Sequence, residues 1–317
     1  MIAEAALARY GLTASAELLN VSENETYLVH GPGASQTVLR VHRLDYHPPG
    51  AIPSELAWLD ALRTEAGVRT PRVIPAADGS RVVTVPDPSG GPDRDCVLFE
   101  FLPGREPRED DLVTDFEPLG ALTARMHRHA RAWTRPPGFV RFHWDTPAAF
   151  GADGAPGRWG DWRLAPGVGP AERSVLERLE TTLRERLRRY GSGPERYGLI
   201  HADLRLANLL VDDGVSVIDF DDCGFGWYLY DLGAALSFFE HLPEVPEVID
   251  AWVRGYRSVA DLPAADEAEI WTFVLFRRLL LTAWIGSHPA VDIAASLGAG
   301  YTAGSCALAE QYLSTHT

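Results

Sequence analysis

The segment 201–222 constrains the fold of this chain more than any other part of the sequence. Two short runs in it, residues 209–211 and 215–218, are rich in leucine, valine and isoleucine. Aliphatic and β-branched runs of this length favour β-strands. Residues 212–214, Asp-Asp-Gly, lie between the two runs and are typical of a tight turn. We therefore predict a β-hairpin in this segment.

Polar residues stand just outside the two ends of this predicted hairpin. Asp203 and Asn208 precede the first strand, and Asp219 follows the second. Because a hairpin brings its ends side by side, we expect these side chains to converge, with one carboxylate available to accept a proton. An amide and a second carboxylate are hard oxygen ligands of the kind that nucleotide-bound Mg²⁺ takes from proteins. The alternative is a polar surface hairpin in which Asp and Asn serve only as turn residues.

The order of these residues resembles the catalytic and metal-binding segments of protein-kinase-like phosphotransferases. The pattern is His-x-Asp with Asn five residues after the Asp, and then a hydrophobic-Asp-Phe segment. The motifs His-Ala-Asp and Ile-Asp-Phe-Asp-Asp are similar to those of the branch that comprises aminoglycoside phosphotransferases, choline kinases and type II homoserine kinases. The resemblance implies an α+β, two-lobed protein-kinase-like fold. A small N-terminal lobe with an antiparallel β-sheet would be followed by a larger, mainly helical C-terminal lobe.

The same resemblance implies roles for individual residues, with ATP and Mg²⁺ as cofactors. Asp203 would be the catalytic base toward an acceptor hydroxyl, and His201 would hold the loop in shape. Arg205, two residues after the base, is grouped with these catalytic residues. Asn208 and Asp219 would bind Mg²⁺.

Composition excludes several other functions. The formal net charge of −15 argues against a nucleic-acid partner, whose phosphates require a basic face. An acidic surface suits a cationic small molecule, or serves solubility alone. The chain contains no lysine, so all 29 basic residues are arginine. A Walker A loop and Schiff-base chemistry both require lysine, and we therefore exclude them.

The sequence also predicts a soluble, cytoplasmic protein without a membrane partner. Its three cysteines are isolated and lack the spacing of a disulfide framework or a zinc site. Glu4 comes before any basic or long apolar stretch, unlike in a signal peptide. The most apolar C-terminal run, residues 273–285, contains Arg277 and Arg278 and is shorter than a membrane span.

We expect residues 1–102 to form the nucleotide-binding lobe. A helical pattern over 2–10 would cap this lobe, and strand-like runs at 18–21 and 26–30 predict a hairpin. In kinase-like enzymes the turn of this hairpin covers the nucleotide phosphates, which makes Ser22 and Asn24 candidate contacts. The turn lacks the Gly-x-Gly-x-x-Gly of protein kinases. On its own it is equally consistent with a plain hairpin turn.

The third predicted strand carries a cation in place of the family's lysine. Alternation over residues 37–42 places Val38 and Arg40 on one face. Arg40 matches the position of the strand lysine and can bind phosphate oxygens bidentately, but its bulk and geometry differ from those of an ammonium. Glu55, in the helical pattern of 54–62, could turn inward to pair with Arg40. An exposed strand Arg and an exposed first-turn Glu are the alternatives.

The apolar run 96–102 stops at Pro103-Gly104 and resembles the hinge of kinases. Backbone groups there would bind the adenine edge, and proline and glycine also mark a lobe boundary. The predicted nucleotide contacts are Ser22, Asn24, Val38, Arg40, Glu55, Glu100, Phe101, Leu102, Leu210 and Ile218.

Residues 103–317 would form the catalytic and acceptor-binding lobe. We predict helices over 109–134 and 171–190, separated by an irregular stretch at 138–169 whose tryptophans either line an acceptor pocket or anchor the loop. Asp231 resembles the buried aspartate that steadies the family's catalytic loop. In this branch the C-terminal helices form the acceptor pocket, which makes candidates of Asp222, Glu240, Trp284 and His288.

The predicted activity is Mg²⁺-ATP-dependent transfer of the γ-phosphoryl group to a hydroxyl of a small polar or amine-bearing molecule. Homoserine, amino alcohols and aminoglycosides are the types of acceptor that relatives use. Arg40 and the missing glycine loop leave open a non-catalytic nucleotide-binding regulator. A protein Ser/Thr kinase of the same fold would need an Ala-Pro-Glu-like segment after Asp219, and none follows. A metal-dependent hydrolase using residues 219–222 would need further ligands at defined spacing.

Overall fold

The computed structural model describes residues 2–21, 24–108, 111–152 and 154–316. These residues form ten α-helices: α1 Ile2–Arg9, α2 Ala51–Glu65, α3 Leu112–Ala132, α4 Thr146–Phe150, α5 Pro170–Tyr190, α6 Tyr230–Ala235, α7 Val245–Arg257, α8 Ala264–Glu267, α9 Ile270–Ser287 and α10 Asp292–His316. They also form eleven strands: β1 Ser15–Val21, β2 Glu25–His30, β3 Gln36–Val41, β4 Val73–Ile74, β5 Val83–Val85, β6 Arg94–Glu100, β7 His143–Trp144, β8 Tyr197–Ile200, β9 Leu209–Asp212, β10 Gly214–Val217 and β11 Gly224–Trp227.

The chain divides into two compact units. The first comprises Met1–Arg105, Thr134–Arg141 and Leu210–Asp221, and the second comprises Glu106–Trp133, Phe142–Leu209 and Asp222–Thr317. The first long segment ends three residues after the predicted lobe boundary. The first unit also takes in two later segments, which a single boundary near residue 102 leaves in the second lobe.

The first unit is built on an antiparallel sheet with the strand order β1-β2-β3-β6-β4, and β5 pairs with the other end of β6. In β3, Val38 lies opposite Phe99 of β6, and Arg40 lies opposite Val97. Burial of Leu39 and Val41, both 0% exposed, gives the sheet an apolar face. The predicted hairpin and third strand of this lobe are confirmed within one to three residues at their ends.

Helix α1 packs on that apolar face. Ala3, Ala6 and Leu7 belong to one buried cluster with side chains of the sheet, including Val29 and Leu98. The Tyr10 hydroxyl donates a hydrogen bond to the Cys96 carbonyl at 3.2 Å and accepts one from the Leu98 N–H at 3.1 Å. The helix therefore caps the sheet, as the sequence predicts.

Strands β9 and β10 form the predicted hairpin as a separate two-stranded sheet. Within the first unit, Val211 pairs with Arg105 in an antiparallel bridge, and Ser216 pairs with Arg69 in a parallel bridge. These two bridges tie the hairpin to chain segments distant in sequence. The hairpin therefore has a fixed place in its unit.

The second unit is mainly helical, and small residues allow its helices to pack closely. A Cβ atom on Gly120 of α3 would lie 2.0 Å from the Trp252 carbonyl of α7, and one on Gly255 of α7 would lie 1.9 Å from the Glu117 carbonyl of α3. A Cβ atom on Gly233 of α6 would lie 2.6 Å from the Phe273 carbonyl of α9. A three-stranded sheet of order β7-β11-β8 completes the unit.

Helix α9 is an apolar core helix of the second unit. By length and composition the stretch Ala264–Ser287 could cross a membrane, because it contains an 18-residue window with a mean hydropathy of 1.2. However, 83% of this window is buried inside the protein. The structured stretch is longer than the run at 273–285, so its length alone does not argue against a span. Its burial accounts for its apolar composition.

The tryptophans of the irregular stretch are buried anchors. Trp144, Trp159 and Trp162 are 0%, 5% and 1% exposed. The Trp144 indole N–H donates to the Asp222 carbonyl at 2.7 Å, and that of Trp162 donates to Glu180 Oε2 at 2.8 Å. Of the two interpretations that the sequence left open, this geometry favours anchoring.

Candidate active site

The loop that carries Asp203 follows strand β8 in the second unit. Asp231 of α6 accepts hydrogen bonds from the backbone N–H of Ala202 at 2.7 Å and of His201 at 3.2 Å. Ala202 has φ +68°, in the left-handed region that non-glycine residues seldom adopt. The two bonds hold the loop in this unfavourable conformation. They confirm the contact with the loop that the resemblance implied for Asp231.

Two histidines support the same loop. His201 is 0% exposed, and its Nδ1 accepts the backbone N–H of Asp203 at 3.2 Å. His127 of α3 lies with Nε2 3.0 Å from Asp231 Oδ2 and with Nδ1 3.2 Å from the Tyr256 hydroxyl. The contacts of His127 could not be predicted from the sequence, because Asp231 and Tyr256 both lie more than 100 positions away from it.

The Asp203 carboxylate is bound from both sides. Its Oδ1 accepts a hydrogen bond from Arg277 Nη2 at 2.6 Å. Its Oδ2 accepts one from Asn208 Nδ2 at 2.8 Å and one from Arg205 Nε at 3.2 Å. The three predicted loop residues Asp203, Arg205 and Asn208 therefore lie together, and the direction of the carboxylate is fixed.

The charges around Asp203 keep it ionised. Burial by itself raises the pKa of a carboxyl group, but the guanidinium groups of Arg205 and Arg277 outweigh burial and lower the pKa of Asp203 below its usual value. The Asp203 carboxylate is therefore negatively charged near neutral pH.

The Asn208 amide is oriented by Asp203. Its nitrogen donates to the Asp203 carbonyl and to Asp203 Oδ2, both at 2.8 Å. With the nitrogen engaged in this way, the carbonyl oxygen is the atom of Asn208 suited to a metal ion. The donor chemistry of the predicted ligand therefore fits Mg²⁺.

Sequence reasoning did not assign a role to Arg277. This residue lies in the middle of α9 and is 1% exposed. Besides Asp203 it donates to the Ala202 carbonyl, the Tyr230 hydroxyl and Ser237 Oγ, at 3.3, 3.0 and 3.1 Å. The one signal in the sequence was a charged pair, Arg277 and Arg278, inside an otherwise apolar helical run.

In the first unit Arg40 joins two carboxylates. Its Nη2 donates to Glu55 Oε1, and its Nη1 donates to Asp219 Oδ1 at 3.2 Å. Glu55 is 0% exposed and Arg40 is 6% exposed, so the predicted inward pairing of Arg40 and Glu55 is confirmed. Burial by itself lowers the pKa of Arg40, but Glu55, Asp221 and Asp219 outweigh it, so the pKa of Arg40 is raised.

The Asp219 side chain is directed outward by its neighbours in the chain. Asp219 itself has φ +58°, and 45% of its side chain is exposed. The next residue, Phe220, is fully buried and packs edge-on against Trp58 of α2, with ring centroids 5.6 Å apart. The buried phenylalanine fixes the backbone, and an accessible carboxylate at this point offers the hard oxygen that Mg²⁺ prefers.

A second polar cluster, around Asp221, was not predicted. His47 Nε2 and His42 Nδ1 lie 2.8 and 3.2 Å from Asp221 Oδ1, and Arg43 Nη2 lies 3.5 Å from its Oδ2. The three ligand atoms of His42, His47 and Asp221 are close enough to hold a metal ion. Arg40 and Arg43 already bring positive charge to Asp221, and this charge disfavours a divalent cation.

The remaining predicted nucleotide contacts all lie in the first unit, apart from Ser22, which lies outside the described residues. Asn24 is 8% exposed, and its Oδ1 accepts the Arg43 N–H at 2.9 Å, so this oxygen braces the sheet. Glu100 ends strand β6, and Phe101 is 36% exposed just beyond it. Val38, Leu102, Leu210 and Ile218 are half-buried. Their nucleotide contacts stay predictions.

The acceptor candidates occupy different environments in the second unit. Glu240 is 1% exposed, and its two oxygens accept hydrogen bonds from Arg278 at 2.6 Å and from Tyr301 at 3.3 Å. We therefore do not retain Glu240 as an acceptor ligand. Trp284 and His288 stack on each other, with ring centroids 5.2 Å apart, at the end of α9.

Asp222 has a different neighbourhood from the other acceptor candidates. It is 8% exposed, and its charge affects the pKa of the Tyr230 hydroxyl, as the charge of Asp203 does. Burial first, and then the charges of Asp203 and Asp222, raise the pKa of Tyr230 to about 12, against a lowering by Arg277. The Tyr230 hydroxyl therefore lies in the field of two carboxylates of the second unit.

The chain is similar to several known kinases. A kinase described as amicoumacin kinase, from Bacillus subtilis (strain 168), is 27% identical over 294 residues, which cover 89% of this chain and 82% of that protein. A solved structure of a microcompartment-associated aminopropanol kinase is 54% identical, with a TM-score of 0.91, and the match covers 99% of this chain and 98% of that one. The amicoumacin kinase hAmiN, in complex with AMP-PNP, Ca²⁺ and Ami, has the same fold, with 24% identity, a TM-score of 0.73 and coverage of 93% and 87%.

These similarities confirm the predicted kinase-like fold and the predicted class of activity, ATP-dependent phosphorylation of a small molecule at a hydroxyl group. They set aside the non-catalytic regulator. The model of the phosphotransferase enzyme family matches residues 16–268, which is most of the sequence. The chain therefore belongs to the phosphotransferase enzyme family.

Proposed function

We propose that this enzyme transfers the γ-phosphoryl group of Mg²⁺-ATP to the hydroxyl of a short amino alcohol, of which aminopropanol is the type. The observation that carries the proposal is the 54% identity to an aminopropanol kinase over 99% of this chain. Because the match extends over nearly the whole chain, it includes the helices in which the acceptor pocket is expected.

The charges of the second unit support an amine-bearing acceptor. The charges of Asp203 and Asp222 both raise the pKa of Tyr230, and the Asp222 carbonyl accepts a hydrogen bond from the Trp144 indole at 2.7 Å. A carboxylate in a partly desolvated place attracts an ammonium group more strongly than one in water. We assign Asp222 to the ammonium of the acceptor and Asp203 to its hydroxyl. Trp284 and His288 stay candidates for the wall of this pocket.

The reaction would need little covalent chemistry from the protein. The acceptor oxygen forms a bond to the γ-phosphorus, the bond from that phosphorus to the β,γ-bridging oxygen breaks, and ADP leaves. Asp203 receives the proton of the acceptor hydroxyl, while His201 keeps the loop in position. Arg205, 28% of whose side chain is exposed, can lend positive charge to the transferred group. Such positioning and charge stabilisation account for most of the catalysis in phosphoryl transfer.

The metal and the nucleotide are assigned to the predicted residues of each unit. Bound Mg²⁺ would neutralise the charge that develops on the phosphates. Asn208, through its amide oxygen, and Asp219, through its carboxylate, stay the candidate ligands for the metal ion. Arg40 orients Asp219 and adds positive charge. We keep residues 1–102 as the nucleotide-binding lobe and 103–317 as the catalytic and acceptor-binding lobe.

We also propose a cytoplasmic location, without a nucleic-acid or membrane partner. The three cysteines lack the spacing of a disulfide framework, which suits a reducing compartment. The acidic charge of −15 opposes binding to nucleic acid. Recovery of the protein in a washed membrane fraction after cell fractionation would contradict this assignment.

The activity is tested with ATP, Mg²⁺ and a panel of acceptors. With at least one enantiomer of 1-amino-2-propanol we expect ADP and a phosphate ester, both detected by ³¹P NMR. Ethanolamine should give less product. Propane-1,2-diol is the matched control without an amine, and it should be a poor acceptor because it offers no ammonium to Asp222. Asp203→Asn should lower kcat by at least about 100-fold and leave ATP binding intact.

Two results would contradict the proposal. Turnover of homoserine or an aminoglycoside with none for amino alcohols would replace the acceptor class. Equal turnover of the diol and the amine would remove Asp222 from the assignment.

A further inference from the structure

Arg277 is buried at a place where a charge is costly. It lies in the apolar helix α9 and is 1% exposed. A guanidinium group removed from water destabilises a protein by several kcal/mol unless its donors are satisfied. Here Nε, Nη1 and Nη2 all donate, to four different groups, and the guanidinium also lies 5.0 Å from the centre of the Trp159 ring. The side chain is therefore held in one position.

Two of these four groups belong to the loop that carries the base. Arg277 donates to the carbonyl of Ala202 and to the carboxylate of Asp203. On the other side of the same residue, Asp231 accepts the Ala202 N–H. Both polar backbone groups of Ala202, whose φ is +68°, are thereby fixed from opposite elements, α6 and α9.

The other two groups hold Arg277 itself. The Tyr230 hydroxyl and Ser237 Oγ accept from the guanidinium at 3.0 and 3.1 Å, and both are buried residues. Gly233 allows α6 to approach α9 closely enough for the contact with Tyr230. Through Arg277, the position of the Asp203 carboxylate therefore depends on the packing of α6 against α9.

We infer that Arg277 is a positioning residue of the phosphoryl transfer, which acts through Asp203. Its contact with Oδ1, opposite the contacts of Asn208 and Arg205 with Oδ2, fixes the orientation in which the carboxylate meets the acceptor hydroxyl. Displacement of a reacting group by about 1 Å can reduce a rate by roughly 100-fold. The inference rests on the proposed role of Asp203 as the base.

The neighbouring Arg278 provides a matched control. It lies in the same helix and is 3% exposed, but it binds Glu240 and Ser305, away from Asp203. Replacing either arginine by methionine removes one buried charge and its ion pair with a carboxylate. The two variants should therefore lose comparable stability, and only the variant at Arg277 should lose the orientation of Asp203.

The experiment compares Arg277→Met and Arg278→Met by steady-state kinetics, corrected for the folded fraction from urea unfolding. We expect Arg277→Met to lower kcat by about 100-fold, with the KM for ATP changed less than about 3-fold. Arg278→Met should keep kcat within about 3-fold of the wild type. Equal loss of kcat in both variants, or a wild-type kcat in Arg277→Met, overturns the inference.

Tyr230→Phe keeps the inference testable if Arg277→Met does not fold. This change removes one hydroxyl that supports Arg277 and leaves all charges in place, and it should lower kcat by about 3- to 10-fold without a change in the KM for ATP. An unchanged kcat in this variant speaks against positioning.

A double-mutant cycle separates the inference from the proposed function. In an Asp203→Asn background, Arg277→Met should have almost no further effect on the residual kcat, because residues that act as a unit are not additive. Additive losses would show that Arg277 acts independently of Asp203. If Asp203→Asn alone retains full activity, the proposed role of Asp203 fails.

Discussion

Arg40, at the position where the resemblance implies a lysine, binds two carboxylates. Its two terminal nitrogens reach different carboxylates, Glu55 and Asp219, as only a forked cation can. Glu55 is completely buried, and Arg40 is the cation with which it forms an ion pair. The residue therefore serves stability and the orientation of Asp219 together.

We expect Arg40→Met to destabilise the protein by about 3–5 kcal/mol, because it leaves Glu55 buried without its cation. The double variant Arg40→Met/Glu55→Met should recover most of that loss, since neither charge is then buried alone. Urea unfolding of the two variants measures the difference. A double variant as unstable as Arg40→Met would show that Glu55 does not cause the loss.

Arg40→Lys tests the geometry at the same charge. A single ammonium cannot bridge Glu55 and Asp219 as the guanidinium does, and therefore kcat should fall by about 10-fold or more while most of the stability is kept. A kcat equal to that of the wild type would mean that only the positive charge at this position matters.

At the scale of elements, the approach of α3 to α7 depends on two glycines. Gly120 and Gly255 each face a carbonyl of the other helix, at distances that exclude a methyl group. His127 on α3 contacts Tyr256 on α7, so the same packing supports the partner of Asp231. The spacing of these helices therefore influences the catalytic loop.

Gly120→Ala should destabilise the protein by about 1–3 kcal/mol or more, because the added Cβ would lie 2.0 Å from the Trp252 carbonyl. The control is Gly300→Ala in α10, an exposed position with nothing within 4 Å of the new Cβ. That change should stabilise the protein by about 0.5–1 kcal/mol, since alanine favours helices over glycine. Thermal or urea unfolding checks both, and equal effects would contradict the close-packing argument.

At the scale of the whole molecule, the buried histidines His42 and His127 link folding to pH. Burial lowers the pKa of His42, with a further lowering by Arg40, and burial likewise lowers that of His127 against the opposing effect of Asp231. Burial therefore favours the neutral form of both histidines in the folded protein, whereas an unfolded histidine takes up a proton near pH 6.5. The unfolded chain then binds more protons below that pH.

Stability should consequently fall as the pH drops from 7.5 to 5.5. Each neutral histidine adds a slope of up to about 1.4 kcal/mol per pH unit below pH 6.5. The carboxyl groups of Asp203 and Asp221, whose pKa values are lowered, would destabilise the fold only below about pH 4. The urea unfolding free energy measured across this range should show a smaller slope for His127→Gln than for the wild type. An unchanged slope would mean that His127 is protonated in the folded protein.

The sequence by itself determined the order of the parts and the chemistry of the local motifs. Hydrophobic alternation and turn residues predicted the hairpin at 209–218, the strands around Arg40 and the cap helix at 2–10, because these depend on neighbours in the chain. The pattern from His201 to Asp219 predicted a kinase, since its residues are close in sequence and their spacing is specific. The pairing of Arg40 with Glu55 was also within reach, because only fifteen residues separate the two.

Only the tertiary structure decided which distant side chains meet. Arg277 lies 74 residues from Asp203, His127 lies 104 residues from Asp231, and His42 and His47 lie more than 170 residues from Asp221. Glu240 looked available for an acceptor until Arg278 and Tyr301 were found on its two oxygens. Hydrophobic periodicity shows that a side chain is buried, but the partner that makes a buried charge tolerable is set by helix packing across the chain.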